Sequence, residues 1–308
     1  MLQFHRSVAL VRRTDSSVQF GIDDPVLIDG LTPADFDLID RLCRGCDGEE
    51  YLGEAERRGV SRTRAMSLLD LLMEAGVLAP AEAAAGGPVV RDFAESFAAM
   101  HGLGPVAASS AIRSCHVFVL GHDASIAAEA LTETGFEPVI VDSVEQAIEA
   151  GATRGITVLM SRCTANVGDA SRLFAEDADH LSVRIGDERA DLVPVRPGIT
   201  PCTTCAVLHT RDDDGGWFSA WQQLSARSRH ALVDPLLIRS AATEAARLLR
   251  AAAVGIAEFG PTMRIDARTG QRSQGGASFH PDCDCRIPLS PNGAPGPVRE
   301  ARARTAPA

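Results

Sequence analysis

The spacing of apolar positions changes character several times along the chain. "SVALVRR" (7–13), "SVQFGI" (17–22) and "PVLID" (25–29) are short β-rich runs separated by turn residues, which predicts a small antiparallel sheet. From Thr32 the period lengthens. In "LTPADFDLIDRLC" the Thr32-Pro33 pair is a helix entry, and Phe36, Ile39 and Leu42 recur at helical spacing. "EEYLGEAERRG" (49–59) reads as a second short helix ended by a glycine. "SRTRAMSLLDLLMEAGVLAP" (61–80) reads as a third, capped by Ser61 and running through Leu68, Leu69, Leu71 and Leu72 to Gly76. Strands followed by three helices give the pattern of a winged-helix domain over residues 1–80.

The pattern then shifts. "AEAAAGGP" (81–88) has linker composition and residues 91–101 are helical in spacing, so 81–112 reads as a linker and helix. "CHVFVLG" (115–121) is continuously apolar, as a buried parallel strand must be. "ASIAAEALTETG" predicts a helix, "FEPVIVD" a strand, "SVEQAIEAG" a helix and "ITVLMS" a strand. This alternation predicts an α/β class, with βαβ units in a doubly wound, Rossmann-like sheet over 113–290. "VDPLLIRSAATEAARLLRAAA" is the longest predicted helix, and the Pro/Ala-rich 291–308 is expected to be a disordered tail.

Composition narrows the function. The chain has 308 residues, 45% of them hydrophobic, enough for two cores, and no apolar run approaches membrane-spanning length. No signal peptide is recognisable at "MLQFHRSVALVRRTD", so a cytoplasmic location is expected. None of the 30 basic residues is lysine, which rules out a phosphate-loop lysine or a Schiff base. A net charge of −11 argues against nucleic acid; within residues 1–80, 9 arginines face 14 acids, a net of −5.

Two cysteine pairs carry candidate chemistry: "PCTTC" with Cys202 and Cys205, and "HPDCDC" with Cys283 and Cys285. Four thiolates in C-x-x-C and C-x-C pairs suit a closed structural zinc site; the alternative is unrelated cysteines with one pair oxidised. "CRGC" (43–46) is a third close pair, of which Cys43 is read as a core residue, as are Cys115 and Cys163. His180, His209 and His280 have no nucleophile partner in sequence and read as structural, so no catalytic residue is assigned. "RDDDGGW" reads as a solvated acidic loop.

After "CHVFVLG" a dinucleotide or ATP fold carries G-x-G-x-x-G. This chain has "GHDASI" (121–126): Gly121 is kept, while Asp123 and Ile126 stand where the other glycines belong. Aspartate adds bulk and negative charge where phosphate would sit. Asp142 follows the second strand, where a ribose-binding acid belongs, but no basic residues accompany it. This argues against ATP as a cofactor.

Together, the N-terminal strands and helices, the degenerate βαβ fold, the Pro-Gly-x-x-x-Cys-x-x-Cys stretch followed by Arg-Asp-x-Asp and a tryptophan, and the terminal "HPDCDC" resemble the ThiF-like proteins of thiazole/oxazole-modified, bacteriocin-type peptide biosynthesis. The resemblance covers nearly the whole chain. It implies zinc bound by Cys202, Cys205, Cys283 and Cys285 as a knuckle on a degenerate adenylation fold. It also implies that the N-terminal domain recognises the leader of a ribosomally made precursor as an added strand, in a groove between "PVLID" and the third helix. Val26, Ile28, Arg64 and Leu68 are the expected lining. The implied partner is a YcaO-type ATP-dependent cyclodehydratase, and the resemblance suggests a homodimer. The expected function is non-catalytic leader binding and presentation; the alternative is a ThiF-type adenylating enzyme acting on a peptide or carrier protein.

Overall fold

The computed structural model describes residues 2–4, 8–22, 25–80, 95–228 and 231–286. The predicted linker at 81–88 and the tail at 291–308 lie outside the described residues. The chain divides into two units, Met1–Ala111 and Ile112–Ala308.

In the first unit, β2 (Leu10–Thr14), β3 (Ser17–Phe20) and β4 (Val26–Asp29) form an antiparallel meander in the order β2-β3-β4. The first predicted run begins later than expected because residues 10–14 carry the pairing and are exposed throughout. β1 (Leu2–Phe4) pairs instead with β5 (Leu78–Pro80). Three helices follow the meander. α1 (Pro33–Cys43) starts where the Thr-Pro pair predicts, with a reciprocal capping box between Thr32 and Asp35. α2 (Gly48–Arg57) has a second capping box between Asp47 and Glu50, and α3 (Arg62–Glu74) is capped by Ser61. Their apolar faces close one core that includes Val18, Phe20, Ile28, Leu38, Leu42, Leu68 and Leu72. The chain's one tyrosine, Tyr51, is fully buried there and its hydroxyl donates to the Ala65 carbonyl at 3.0 Å.

Cys43, expected in the core, is exposed, and Cys46 is the buried member of the pair. The helix period explains it: Leu42 occupies the inward position, so its neighbour points to solvent, while Cys46 sits past the helix end and bridges to Leu2. Cys115 and Cys163 are partly exposed rather than core.

Asp35 is the electrostatic pivot of this unit. Its carboxylate is 1% exposed, accepts from the Thr32 N–H and hydroxyl, and takes a fork of bonds from Arg64 at 2.7–3.2 Å. Burial pushes its pKa up, but the Arg64 and Thr32 bonds outweigh burial and hold it below the ordinary carboxylate value. A depressed folded pKa means this stabilisation is complete above the unfolded value of about 4 and is lost as pH falls through the folded one. Asp35→Asn should therefore cost on the order of 1 kcal/mol at pH 7, as a weakened helix cap does. Denaturant titrations between pH 2 and 7 should also show a shallower acid limb than the parent's.

Residues 95–100 form α4 and Pro105–Ser114 form α5. In the second unit a seven-stranded sheet runs β12-β11-β10-β9-β8-β6-β7, built from β6 (Val117–Gly121), β7 (Val139–Ile140), β8 (Ile156–Arg162), β9 (His180–Ile185), β10 (Arg189–Val195), β11 (Thr262–Asp266) and β12 (Arg272–Gly275). The strands from β7 to β9 are parallel, as the βαβ alternation predicts. The remaining three are antiparallel, so the sheet is mixed and only half of it is doubly wound. The switch comes at a turn closed by Gly186 N–H donating to Arg189 C=O; so short a connection can join only antiparallel neighbours.

Helices cover both faces of the sheet. α7 (Val144–Glu149) and α8 (Val167–Ala175) pack with Phe118, Leu120 and Leu159 in one core. α6 (Ala124–Glu133) packs on α11 (Pro235–Ala253), the longest helix, which also lies against β9 and β10. α9 (Thr203–Asp213) and α10 (Trp217–Arg227) complete the unit. The predicted acidic loop is split: Arg211 to Asp213 end α9, Asp214 to Gly216 form a turn, and Trp217 opens α10. No described helix is long and apolar enough to cross a membrane.

Candidate functional site

The cysteine cluster is built from two chain segments. Cys202 occupies the N-cap of α9 and Cys205 its third residue, so both sulfurs lie where unsatisfied N–H groups and the helix dipole favour negative charge. Cys283 and Cys285 arrive on a tight turn in which Cys283 N–H donates to the His280 carbonyl at 3.1 Å. The sulfurs of Cys202 and Cys205 are 3.9 Å apart, those of Cys202 and Cys283 3.6 Å, and those of Cys205 and Cys285 3.3 Å; all four lie within 4.8 Å of one another. These separations are too long for disulfides and match the edges of a thiolate tetrahedron, roughly 3.8 Å for metal–sulfur bonds of about 2.3 Å. The four cysteines could hold a metal such as zinc. Four protein ligands close the shell, so a metal here would brace two segments rather than bind substrate.

The surroundings favour that role. Val195 is buried with the cluster, and Phe174, Val193 and Phe279 pack on it. The His280 N–H donates to the Cys205 sulfur at 3.4 Å. Burial pushes the Cys205 thiol up, yet this N–H and the neighbouring thiols outweigh it and leave it below its ordinary value. Burial raises Cys283 to about 11 and also raises Cys285. One sulfur is thus prepared to ionise, and a cation would be needed to strip the protons from Cys283 and Cys285. His280 is itself fixed: Nδ1 accepts the Asp282 N–H at 3.0 Å, so Nε2 carries the proton and donates to Asp212 at 2.8 Å. Asp212 is accordingly held below the carboxylate range, first by His280 and then by Arg211. The sequence signal for this support is "RDDDGGW", which begins two residues after His209, a histidine that stacks edge-on against His280 at 4.8 Å.

The parallel strands form a second candidate site. The order in which strands join the sheet reverses at β6, with β7 added on one side of it and β8 on the other, and ligands of such folds sit at the carboxyl ends of the strands at this switch point. A cavity of about 500 Å³ lies there, lined by Gly121, His122, Arg162, Asn166 and Trp221 among others. Gly121 has φ +103°, and a Cβ built on it would stand 2.1 Å from the Met160 carbonyl oxygen. Gly121→Ala should therefore lower the melting temperature by several degrees, both steric and conformational costs acting together; a thermal melt that matches the parent's would show that the loop can move aside.

At the entrance to α6, Asp123 adopts φ +60° with no side-chain cap. Its carboxylate takes two bonds from Arg162, Nε at 2.8 Å and Nη2 at 2.6 Å, while Arg162 Nη1 donates to the Ala231 carbonyl at 2.9 Å. The acid thus occupies the helix entrance and engages the arginine at the end of β8, a pairing that the spacing of "GHDASI" did not reveal. Asp142 is exposed and its N–H donates to Gln146 Oε1 at 2.7 Å.

Of the four residues expected to line a peptide groove, Ile28 and Leu68 are core, and Val26 is partly buried against the same core. Arg64 is exposed, and its Nη2 donates to the Gly30 carbonyl at 3.0 Å, tying α3 to the end of β4. The outward residue of β4 is Leu27, 48% exposed, with Met66 and Leu71 exposed on α3. Period-two alternation in "VLID" places Leu27 on the face opposite Ile28. In the three-stranded order β2-β3-β4, β4 is an edge.

No protein-family model and no curated protein sequence matches the chain. Among solved structures it is similar to the heterocyclase TruD, at 15% identity and TM-score 0.68, over 92% of this chain and 42% of that one. A heterocyclase in complex with substrate and cofactor aligns at 14% identity and TM-score 0.67, over 92% and 39%. Escherichia coli MccB solved with ATP aligns at 11% identity and TM-score 0.63, over 92% and 99%. The chain spans about two fifths of the length of the heterocyclases. At these identities the likeness is one of fold: the chain shares the mixed α/β, Rossmann-like architecture of proteins solved as heterocyclases and as MccB.

Proposed function

We propose that this protein binds the leader segment of a ribosomally made precursor peptide and presents it to a YcaO-type, ATP-dependent cyclodehydratase, without itself performing chemistry. The observation that carries this reading is the edge strand β4, beside α3, in the first unit of a chain whose fold is shared with heterocyclases. An edge strand offers alternating unpaired N–H and C=O groups; an extended peptide can add to them as a fourth strand, with side chains read by the pockets beside it. In this winged-helix reading, exposed Leu27 and the α3 residues Arg64 and Met66 meet the peptide, while Ile28 and Leu68 support the wall from the core.

The second unit is read as a retired adenylation fold. Asp123 places its charge at the helix entrance where a phosphate would need to lie, and Arg162 is engaged by it. The four cysteines would hold a structural zinc. The reading includes a homodimer and a cytoplasmic location.

One observation favours a second reading, an adenylating enzyme: the cavity of about 500 Å³ lies at the switch point, and the fold is shared with MccB solved with ATP. The two are separated by one pair of titrations of the full-length protein. Fluorescence anisotropy of a labelled leader peptide should saturate, while calorimetry with ATP and magnesium should give no heat of binding. Stoichiometric ATP binding without leader binding would replace the first reading with the second.

A further inference from the structure

The face of β9, β10 and β11 under α9 and α10 carries a charge arrangement that neither reading uses. Asp191 is paired in register with Arg184 on β9 and with Arg264 on β11, so the three side chains stand abreast across three strands. Arg184 and Arg264 both bind the Asp191 carboxylate, the latter at 2.7 Å, and Arg189 approaches it at 4.0 Å. Three guanidinium groups therefore share one carboxylate, leaving two positive charges uncompensated within the group. In a chain of net charge −11 this is a local reversal of sign.

These residues line a cavity of about 220 Å³, whose roof includes Thr203, Trp217 and Trp221. The hydroxyl of Thr203, a residue 2% exposed, and the indole N–H groups of both tryptophans are buried with no hydrogen-bond partner among the described residues. Buried donors are almost always paired, so three unpaired ones around one cationic cavity call for an acceptor. Tryptophan N–H and guanidinium donate only; the missing group must accept, and the charge balance asks for an anion.

We infer that this cavity is an oxyanion-binding site, taking a carboxylate or phosphate group held by Arg189, Arg264, Thr203 and the indole N–H groups of Trp217 and Trp221. It belongs to the second unit and is independent of leader binding at β4. Arg184, the least exposed of the three arginines, also donates to the Cys163 carbonyl at 3.2 Å and serves chiefly to fix Asp191.

The protein supplies its own reporter, since Trp217 and Trp221 are its only tryptophans. Tryptophan emission of the full-length protein should be followed during titration with sodium phosphate, sodium acetate, and a short peptide with a free or amidated C-terminus, at constant ionic strength set by chloride. A saturable change with phosphate alone identifies a phosphate ligand; one with acetate and only the free-acid peptide identifies a carboxylate. Arg264→Gln and Arg189→Gln alter half-exposed side chains and should keep the parent's circular dichroism while weakening binding at least tenfold. Arg268→Gln, outside the cavity, should bind as the parent does. Emission that changes only linearly with every anion would overturn the site, as would equal affinity in Arg264→Gln and Arg189→Gln.

Discussion

Replacing Cys205 by serine should abolish the cooperative thermal transition of the second unit or lower it by more than 10 °C, the largest effect expected of any single substitution here. Cys205 is fully buried, and the His280 N–H and the neighbouring thiols hold its sulfur below the ordinary thiol value despite that burial. Structural zinc in small domains contributes roughly 10–16 kcal/mol of apparent binding free energy, and what binds only the folded state stabilises it by mass action. The parent protein should carry one zinc per chain by atomic emission. A strong chelator should reproduce the serine variant's melting curve, and zinc should restore the parent's but not the variant's. A metal-free preparation that melts as the untreated protein does would show that the thiols pack well enough alone.

Leader binding should be lost in one, and only one, of the neighbouring variants Leu27→Pro and Ile28→Pro. Along an edge strand successive N–H groups point alternately to the partner strand and to open solvent. Proline removes one N–H, which the sheet tolerates where that group faces outward and not where it bonds β3. The variant that keeps its melting temperature should weaken the labelled leader at least tenfold, the equivalent of about 1.4 kcal/mol, since the lost N–H is one the peptide would use. The other variant should be visibly destabilised. Unchanged leader affinity in the variant that stays folded would move the peptide site away from β4.

Local signals carried the elements that these experiments disturb. Thr32, Asp47 and Ser61 cap the three helices of the first unit as their side chains require, because a cap is decided within four residues. The apolar run of β6 and the helix–strand alternation after it gave the parallel half of the sheet. The antiparallel half was not legible in the same way. β9 and β10 differ from a helical or loop stretch only in weak alternation, and the pairing of β10 with β11 spans some seventy residues that no local period records. The cysteine pairs were legible because their spacing is itself the geometry of a turn. Asp123 with Arg162, and Asp191 with its arginines, were not, since each depends on strands that meet only in the folded sheet. Ile28 and Leu68 illustrate the remaining difficulty: an apolar residue beside a groove and one beneath it have the same sequence signature.

The two cysteine segments are separated by some eighty positions, and everything between them, α9 through β12, is strung on that span. A protease nick in the exposed turn at Asp214 to Gly216, between α9 and α10, would cut this span into two pieces. With metal on all four sulfurs the pieces would remain one particle on a sizing column; a chelator would remove that tether and leave only the sheet and helix packing to keep them together. The metal would then act as a removable clasp, and its departure would be felt first as loss of connectivity and only afterwards as loss of shape.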